Sequence, residues 1–246
     1  PGTGADAFTV SAGVVSENLE LYDCAVNARR MFTDVDNSAE GVNLRLSRCV
    51  VRVATDFTGT LPTYALHMTD CTVSARCHIQ GICDVLELVD NDFQGTTLLI
   101  NVVPPANSFT TVRIVGNRLI ANTTGATAIT IRSARGEIVG NFLLGTLLGT
   151  TVGLQINDAA GTSPDSSLVV ADNTFDTWDT GIVVAANSLG TGTGENIFGP
   201  NSYRNVATLT SGVPAAADYQ GAGLHALLSA SHSDILVGTV TRGDLI

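Results

Sequence analysis

The residues best placed for chemistry lie in one short stretch, Ala171-Asp172-Asn-Thr-Phe-Asp176-Thr-Trp178-Asp179-Thr-Gly181. It holds the chain's single tryptophan between two carboxylates. An indole face stacks on a sugar ring, and flanking acids bond its hydroxyls. A pair of carboxylates roughly 5–10 Å apart would also serve glycosidic hydrolysis. Asp176, Trp178 and Asp179 are therefore the candidate glycan contacts, against the plainer reading of a polar turn with a Trp over its flank. A second acidic group, Asp84, Glu87, Asp90 and Asp92, reads as a solvated edge. Arg132, Arg135 and Glu137 read as a surface ion pair. No Ser-His-Asp set, HExxH, P-loop or GxGxxG occurs, so catalytic residues are left unassigned. One Trp and four Tyr are few for a polysaccharide-cleaving cleft.

The elements that must carry these residues repeat. Leu19-Glu-Leu-Tyr-Asp-Cys-Ala-Val26 matches Leu44-Arg-Leu-Ser-Arg-Cys-Val-Val51 and Leu66-His-Met-Thr-Asp-Cys-Thr-Val73. Further copies start at Leu86, Val112, Gly136 and Leu168, and a weaker one surrounds Asn196. The sixth place of this template is Cys24, Cys49, Cys71, Asn91, Asn117, Asn141, Asn173 and then Asn196. A constant motif with uneven spacing, about 25 residues on average, describes a fixed unit with variable loops. Each unit adds a second extended run, such as Thr127–Ile131 or Val152–Ile156, and turn-forming Gly, Asn, Asp and Thr fill the gaps.

So small a unit cannot bury its apolar face alone. Stacked units can, with each strand paired to its counterpart about 4.8 Å away. Inward residues then form ladders, and the sixth place suits one. Cys packs as a small hydrophobe. Asn tolerates left-handed backbone at a turn and bonds its neighbour in the stack.

The units between about residues 19 and 198 resemble the right-handed parallel β-helix family, the shape of pectate lyases and phage tailspikes. The expected fold is all-β: a right-handed parallel β-helix of about eight coils over 19–205, after an entry segment, 1–18. A short non-helical connector or oligomerisation segment, 206–246, is expected to follow. Its Leu-Leu-Ser-Ala-Ser-His-Ser-Asp-Ile-Leu-Val-Gly-Thr-Val-Thr-Arg-Gly-Asp-Leu-Ile246 end resembles a connector of phage virion and tail-fibre proteins.

The family resemblance implies a structural and host-recognition module of a virion appendage, a homotrimer associated with other virion proteins. It would bind a host surface polysaccharide through projecting loops, the longest lying between Asn141 and Asn173. A polysaccharide hydrolase or lyase on the same scaffold is the first alternative. A secreted bacterial β-helix adhesin is the second.

Charge and cysteines bound the partners. Net charge is -11, and all 12 basic residues are Arg. Nucleic-acid binding needs a positive patch and is not expected. No apolar run approaches the ~18–20 residues of a membrane helix, so insertion is not expected either. No basic leader precedes Pro1, whose Pro-Gly-Thr-Gly start reads as a cut inside a longer chain. Five unevenly spaced cysteines argue against a disulfide framework and for assembly in a reducing cytoplasm. His67, Cys71, Cys77, His78 and Cys83 lack the paired spacing of a zinc site, and no cofactor is expected.

Overall fold

The computed structural model describes residues 8–10, 17–28, 32–34, 42–56, 63–80, 84–95, 98–103, 109–147, 149–156, 166–184 and 196–211. These form a right-handed parallel β-helix. Its first face, face A, is a sheet of eight parallel strands. In order they are Glu17–Tyr22, Val42–Ser47, Thr63–Thr69, Val85–Val89, Thr110–Val115, Ala134–Val139, Ser167–Ala171 and Ile197–Phe198. They number the rungs one to eight.

The remaining strands form a bent sheet covering two more faces. Face B runs from Ala25–Ala28 and Val50–Asp56 through Asp92–Gly95, Arg118–Ala121 and Phe142–Leu144. Face C runs through Leu98–Val103, Thr127–Ile131 and Val152–Ile156. Three long strands, Thr72–Gln80, Thr174–Val184 and Ser202–Ser211, bend from B into C and join them.

The expected eight coils are corrected to about five complete turns, Thr63 to Val184. Partial turns extend the stack at both ends: rungs one and two show strands on two faces, and rung eight has only two residues on face A. The parallel pair Phe8–Val10 and Phe32–Asp34 lies apart from both sheets.

Period-two alternation sets what points inward. Along Thr110–Val115, Val112 and Ile114 are buried while Thr111 and Arg113 are exposed. The interior is thus columns of like side chains: Leu46, Met68, Leu88, Ile114, Ile138, Val170 and Phe198 on face A, and Val51, Val73, Phe93, Leu119, Leu143 and Phe175 on face B. Each contributes about 1.5–3 kcal/mol of hydrophobic burial. The second column ends with Tyr203 stacked on Phe175, ring centroids 5.3 Å apart.

The corner between faces A and B explains the repeat. The fifth template residue, not the sixth, takes the left-handed conformation: φ is 54° at Asp23, 52° at Arg48, 55° at Asp70 and Asp90, 68° at Gly116 and Gly140, and 57° at Asp172. This corrects the left-handed role expected of the Asn column. The bend also splits main-chain pairing. At Gly116 the N–H donates forward to Val139, and at Arg118 backward to Asn91. The N–H between them, at the sixth place, has no main-chain carbonyl facing it.

The sixth side chain fills that gap. Asn141 Oδ1 accepts the Asn117 main-chain N–H at 2.9 Å and its side-chain N–H at 3.0 Å. Asn141 Nδ2 meanwhile donates to Ile114 O, one rung back, at 2.8 Å. Asn91, Asn117 and Asn173 repeat this pattern. The column continues at Asn201, whose Oδ1 accepts both Asn173 N–H groups at 3.0 Å. Asn196 stands elsewhere: it is buried at the start of rung eight, where its Oδ1 accepts the Leu168 N–H at 3.0 Å.

Candidate functional site

Asp176, Trp178 and Asp179 all lie on Thr174–Val184, where that strand turns from face B to face C. Thr177 makes the turn with φ of 65°, an unusual conformation for a β-branched residue. The bend carries Trp178 inward. Its ring is wholly buried, and its Nε1–H donates to Leu143 O at 2.9 Å. It lies against Gly145, where any Cβ would sit 2.6 Å from the indole. The expected stacking platform is therefore a core residue, with no face open to a sugar.

The two acids are occupied as well. Asp176 is 8% exposed; its Oδ1 accepts from the Thr177 hydroxyl at 2.8 Å and from Asn205 Nδ2 at 3.5 Å. Arg204 Nη1 stands 3.8 Å from Oδ2. Asp179 Oδ2 accepts the Thr151 N–H at 2.9 Å, and the Thr151 hydroxyl oxygen accepts the Asp179 N–H at 3.0 Å. This reciprocal pair ties rung seven to rung six at the B–C corner. The three residues are close in the chain but do not converge on a shared cleft.

The other clusters also disperse. Glu87 joins a row across face A that runs Glu20, Arg45, His67, Glu87, Arg113, Glu137 in strict register. His67 Nδ1 lies 2.8 Å from Glu87 Oε2, Arg113 Nη1–H donates to Glu87 Oε1 at 2.6 Å, and Arg113 Nε–H donates to Glu137 Oε1 at 3.1 Å. The His67 hydrogen bond, then that of Arg113, holds the Glu87 carboxyl below the usual range. Asp92 instead pairs with Arg118 on face B, 3.1 Å away. Asp90 supplies a left-handed corner. The Arg135 guanidinium lies over the Phe109 ring, 4.1 Å from its centroid. The charged row of face A ends in Val169 and Ile197, 38% and 40% exposed.

Face C differs in chemistry. One outward row runs Asn101, Thr130, Gln155, Val183, Ser211, and its neighbour runs Thr127, Val152, Thr180, Thr208. The side chains from Thr127 through Val183 are half-buried, while Ile129, Ile131, Leu154, Ile156 and Ile182 between them fill the core. From rung four to rung eight the two rows carry amides, hydroxyls and two valines at rung spacing, about 4.8 Å, and no ionisable group; on rung three the first row continues in register to His78. Such a surface can exchange hydrogen bonds with a neutral chain of hydroxyls. It is the candidate binding face, and the template did not reveal it, because the template ends before face C begins.

The column of thiols continues the Asn ladder at its early end. The Cys71 N–H donates to Asn91 Oδ1 at 2.9 Å, and the Cys49 N–H donates to Cys71 Sγ at 3.4 Å. The Cys49 thiol reaches Ser47 O at 3.3 Å and Leu21 O at 3.4 Å. A thiol, a weak donor and weak acceptor, copies the amide in outline. Burial pushes the Cys71 thiol up to about 11. Among the described residues, no group of three or more His, Cys, Asp or Glu could hold a metal ion. Cys77, His78 and Cys83 have side chains outside the described residues. So do the connector expected at 206–246 beyond Ser211, and the centre of the loop before Asn173, residues 157–165.

No family model, curated protein or solved structure matches this chain.

Proposed function

We propose that this chain is a non-enzymatic structural and host-recognition module of a phage virion appendage, a tail fibre or tailspike, that binds a neutral cell-surface glycan. The observation that carries the reading is the hydroxyl and amide surface of face C over rungs four to eight, free of ionisable groups there, on a chain of net charge -11. Hydroxyls and amides select a neutral polysaccharide, while the surrounding acidity repels anionic ones. The stack supplies a rigid wall for that surface, since rungs four to seven are fixed to one another by main-chain bonds and by the Asn column. The spent state of Asp176 and Asp179 supports binding without cleavage. The repeat and the 227–246 sequence, which resembles virion connectors, support the setting.

The proposed oligomer is a homotrimer. Val169 and Ile197, apolar and exposed on face A, gain by burial between copies. Light scattering of the full chain reports this directly; a monomer removes the trimer.

The functional test is titration of the full chain with neutral and anionic host-surface polysaccharides. Binding of a neutral glycan that weakens in Thr130→Arg and Gln155→Arg, with no reducing ends released, supports the reading. Release of reducing ends or unsaturated sugar transfers the chain to the depolymerase class. Binding unchanged by both substitutions removes face C.

A further inference from the structure

The sixth-place column has an unequal composition that the structure turns into chemistry. Five rungs carry Asn, but the first three carry Cys24, Cys49 and Cys71, all with free thiols. Cys24 and Cys49 are in register, since Tyr22 faces Ser47 and Ala25 faces Val50. In-register Cα atoms on adjacent rungs are about 4.8 Å apart, inside the roughly 4.4–6.8 Å a disulfide spans. The Cys49 thiol already leans toward rung one, 3.4 Å from Leu21 O. The Cys24 thiol donates within its own rung, to Tyr22 O at 3.1 Å, and is partly exposed. Turning either thiol therefore breaks no strong bond.

We propose that Cys24 and Cys49 form a reversible disulfide that staples rung one to rung two when the protein meets an oxidising medium. The pairing is selective. Cys24 is the only one of the three ladder thiols that solvent reaches, so it reacts first. Cys49 is its in-register neighbour. Cys71 is buried two rungs away from Cys24, with its sulfur accepting the Cys49 N–H.

The oxidant is a small-molecule disulfide such as oxidised glutathione. The Cys24 thiolate attacks one of its sulfurs, that S–S bond breaks, and one glutathione thiolate leaves. Cys49 gives its proton to solvent and attacks the Cys24 sulfur, and the second glutathione thiolate leaves. Two protein thiols are oxidised, and one external disulfide is reduced to two thiols.

The staple sits where the stack needs one. Leu19, Leu21, Cys24 and Val26 of rung one are only partly buried, and its sixth place carries no Asn; the side chains that tie it to rung two are exposed ones, Asn43 Nδ2 donating to Asn18 Oδ1 at 2.9 Å and Arg48 to Asp23 at 2.7 Å. Closing the 24–49 loop restricts the unfolded chain and holds the terminal rung. The timing rests on the proposed function: a module assembled in a reducing cytoplasm works outside the cell.

The test uses the full chain carrying Cys77→Ser and Cys83→Ser, equilibrated with reduced and oxidised glutathione mixtures. The proposal expects free thiols to fall from three to one, and peptide mapping to find Cys24 linked to Cys49 with two hydrogens lost. Adding Cys24→Ser should leave both remaining thiols free. Three thiols surviving every mixture, a lasting glutathione adduct on Cys24, or Cys49 linked to Cys71 would overturn it. Should the double variant not fold, mapping of the unmodified chain answers the same question. Glycan titration of the reduced chain tests the proposed function separately, so the two can fail independently.

Discussion

The side-chain oxygen of Asn117 accepts two hydrogen bonds from Asn91 on the rung below, from its main-chain N–H at 2.9 Å and its side-chain N–H at 3.0 Å. The corner needs this arrangement. A left-handed residue at Asp90 or Gly116 turns the chain, and the next N–H loses its carbonyl. A buried unpaired N–H costs about 1–3 kcal/mol. An Asn at that place removes the cost and, through Nδ2, also satisfies a carbonyl one rung back.

Asn141→Ala should therefore unfold more easily than any apolar truncation of similar size on the surface. It strands the Asn117 N–H and the Ile114 carbonyl together. The expected loss is about 2–4 kcal/mol, read from urea midpoints. A loss below about 0.5 kcal/mol would mean that the column is decorative.

Gly136→Ala should destabilise by at least ~2 kcal/mol, although alanine is the mildest replacement. Gly136 has φ of 132°, and a Cβ there would meet Val112 O on the preceding rung. Gly125→Ala is the control: its φ is also positive, at 69°, but nothing lies within 4 Å of the added carbon. Equal losses in the two variants would contradict the steric argument.

Trp178 should emit as a buried indole, and acrylamide should quench it poorly in the folded chain. Gly145→Ala forces a carbon into the space its ring occupies, so emission should shift to the red with reduced stability. Strong quenching of the unmodified chain would place the ring at the surface and revive it as a sugar platform.

The face A row should make stability acid-sensitive through Glu87. Its carboxyl is held below the ordinary value of 4.5 by His67 first and Arg113 second. A lowered carboxyl contributes fully above the unfolded value and loses its contribution as pH falls through the folded one. The stability difference between the unmodified chain and Glu87→Gln should shrink as pH falls below 4.5. The group is one-third exposed, so the effect is small. A difference that grows on acidification would reverse the sign.

How much of this was legible in the residues follows from what each signal measures. Apolar alternation and the recurring Cys/Asn place report local geometry and burial together, so the β-helix could be read from them. Register cannot be read locally. Asn196 looked like a sixth-place Asn beside Ile197 and Phe198, yet strand pairing sets Val170 opposite Phe198 and makes Asn196 a first-place residue. Phe198-Gly-Pro-Asn201-Ser-Tyr203 carries the better match, with an apolar residue three before the Asn and an aromatic two after.

Trp178 was misplaced for a related reason. Alternation from the buried Phe175 would send residue 178 outward, but the left-handed Thr177 resets the parity and turns it inward. Nothing in the type of Thr177 announces that bend. The strands of face C were legible as second extended runs, such as Thr127–Ile131 and Val152–Ile156, but its outward rows were not: Thr, Gln and Asn there have no special spacing in sequence and align only once the coils are stacked.

Hydrogen exchange at the Asn91 main-chain N–H tests the stack most directly, because its acceptor among the described residues is a side chain on another rung. In the folded chain it should be strongly protected, and Asn117→Ala should speed its exchange by roughly 10–100-fold. The Thr72 N–H, bonded to Cys49 O, should keep its protection. Fast exchange at Asn91 in the unmodified chain, or protection indifferent to residue 117, would contradict rungs joined through this column.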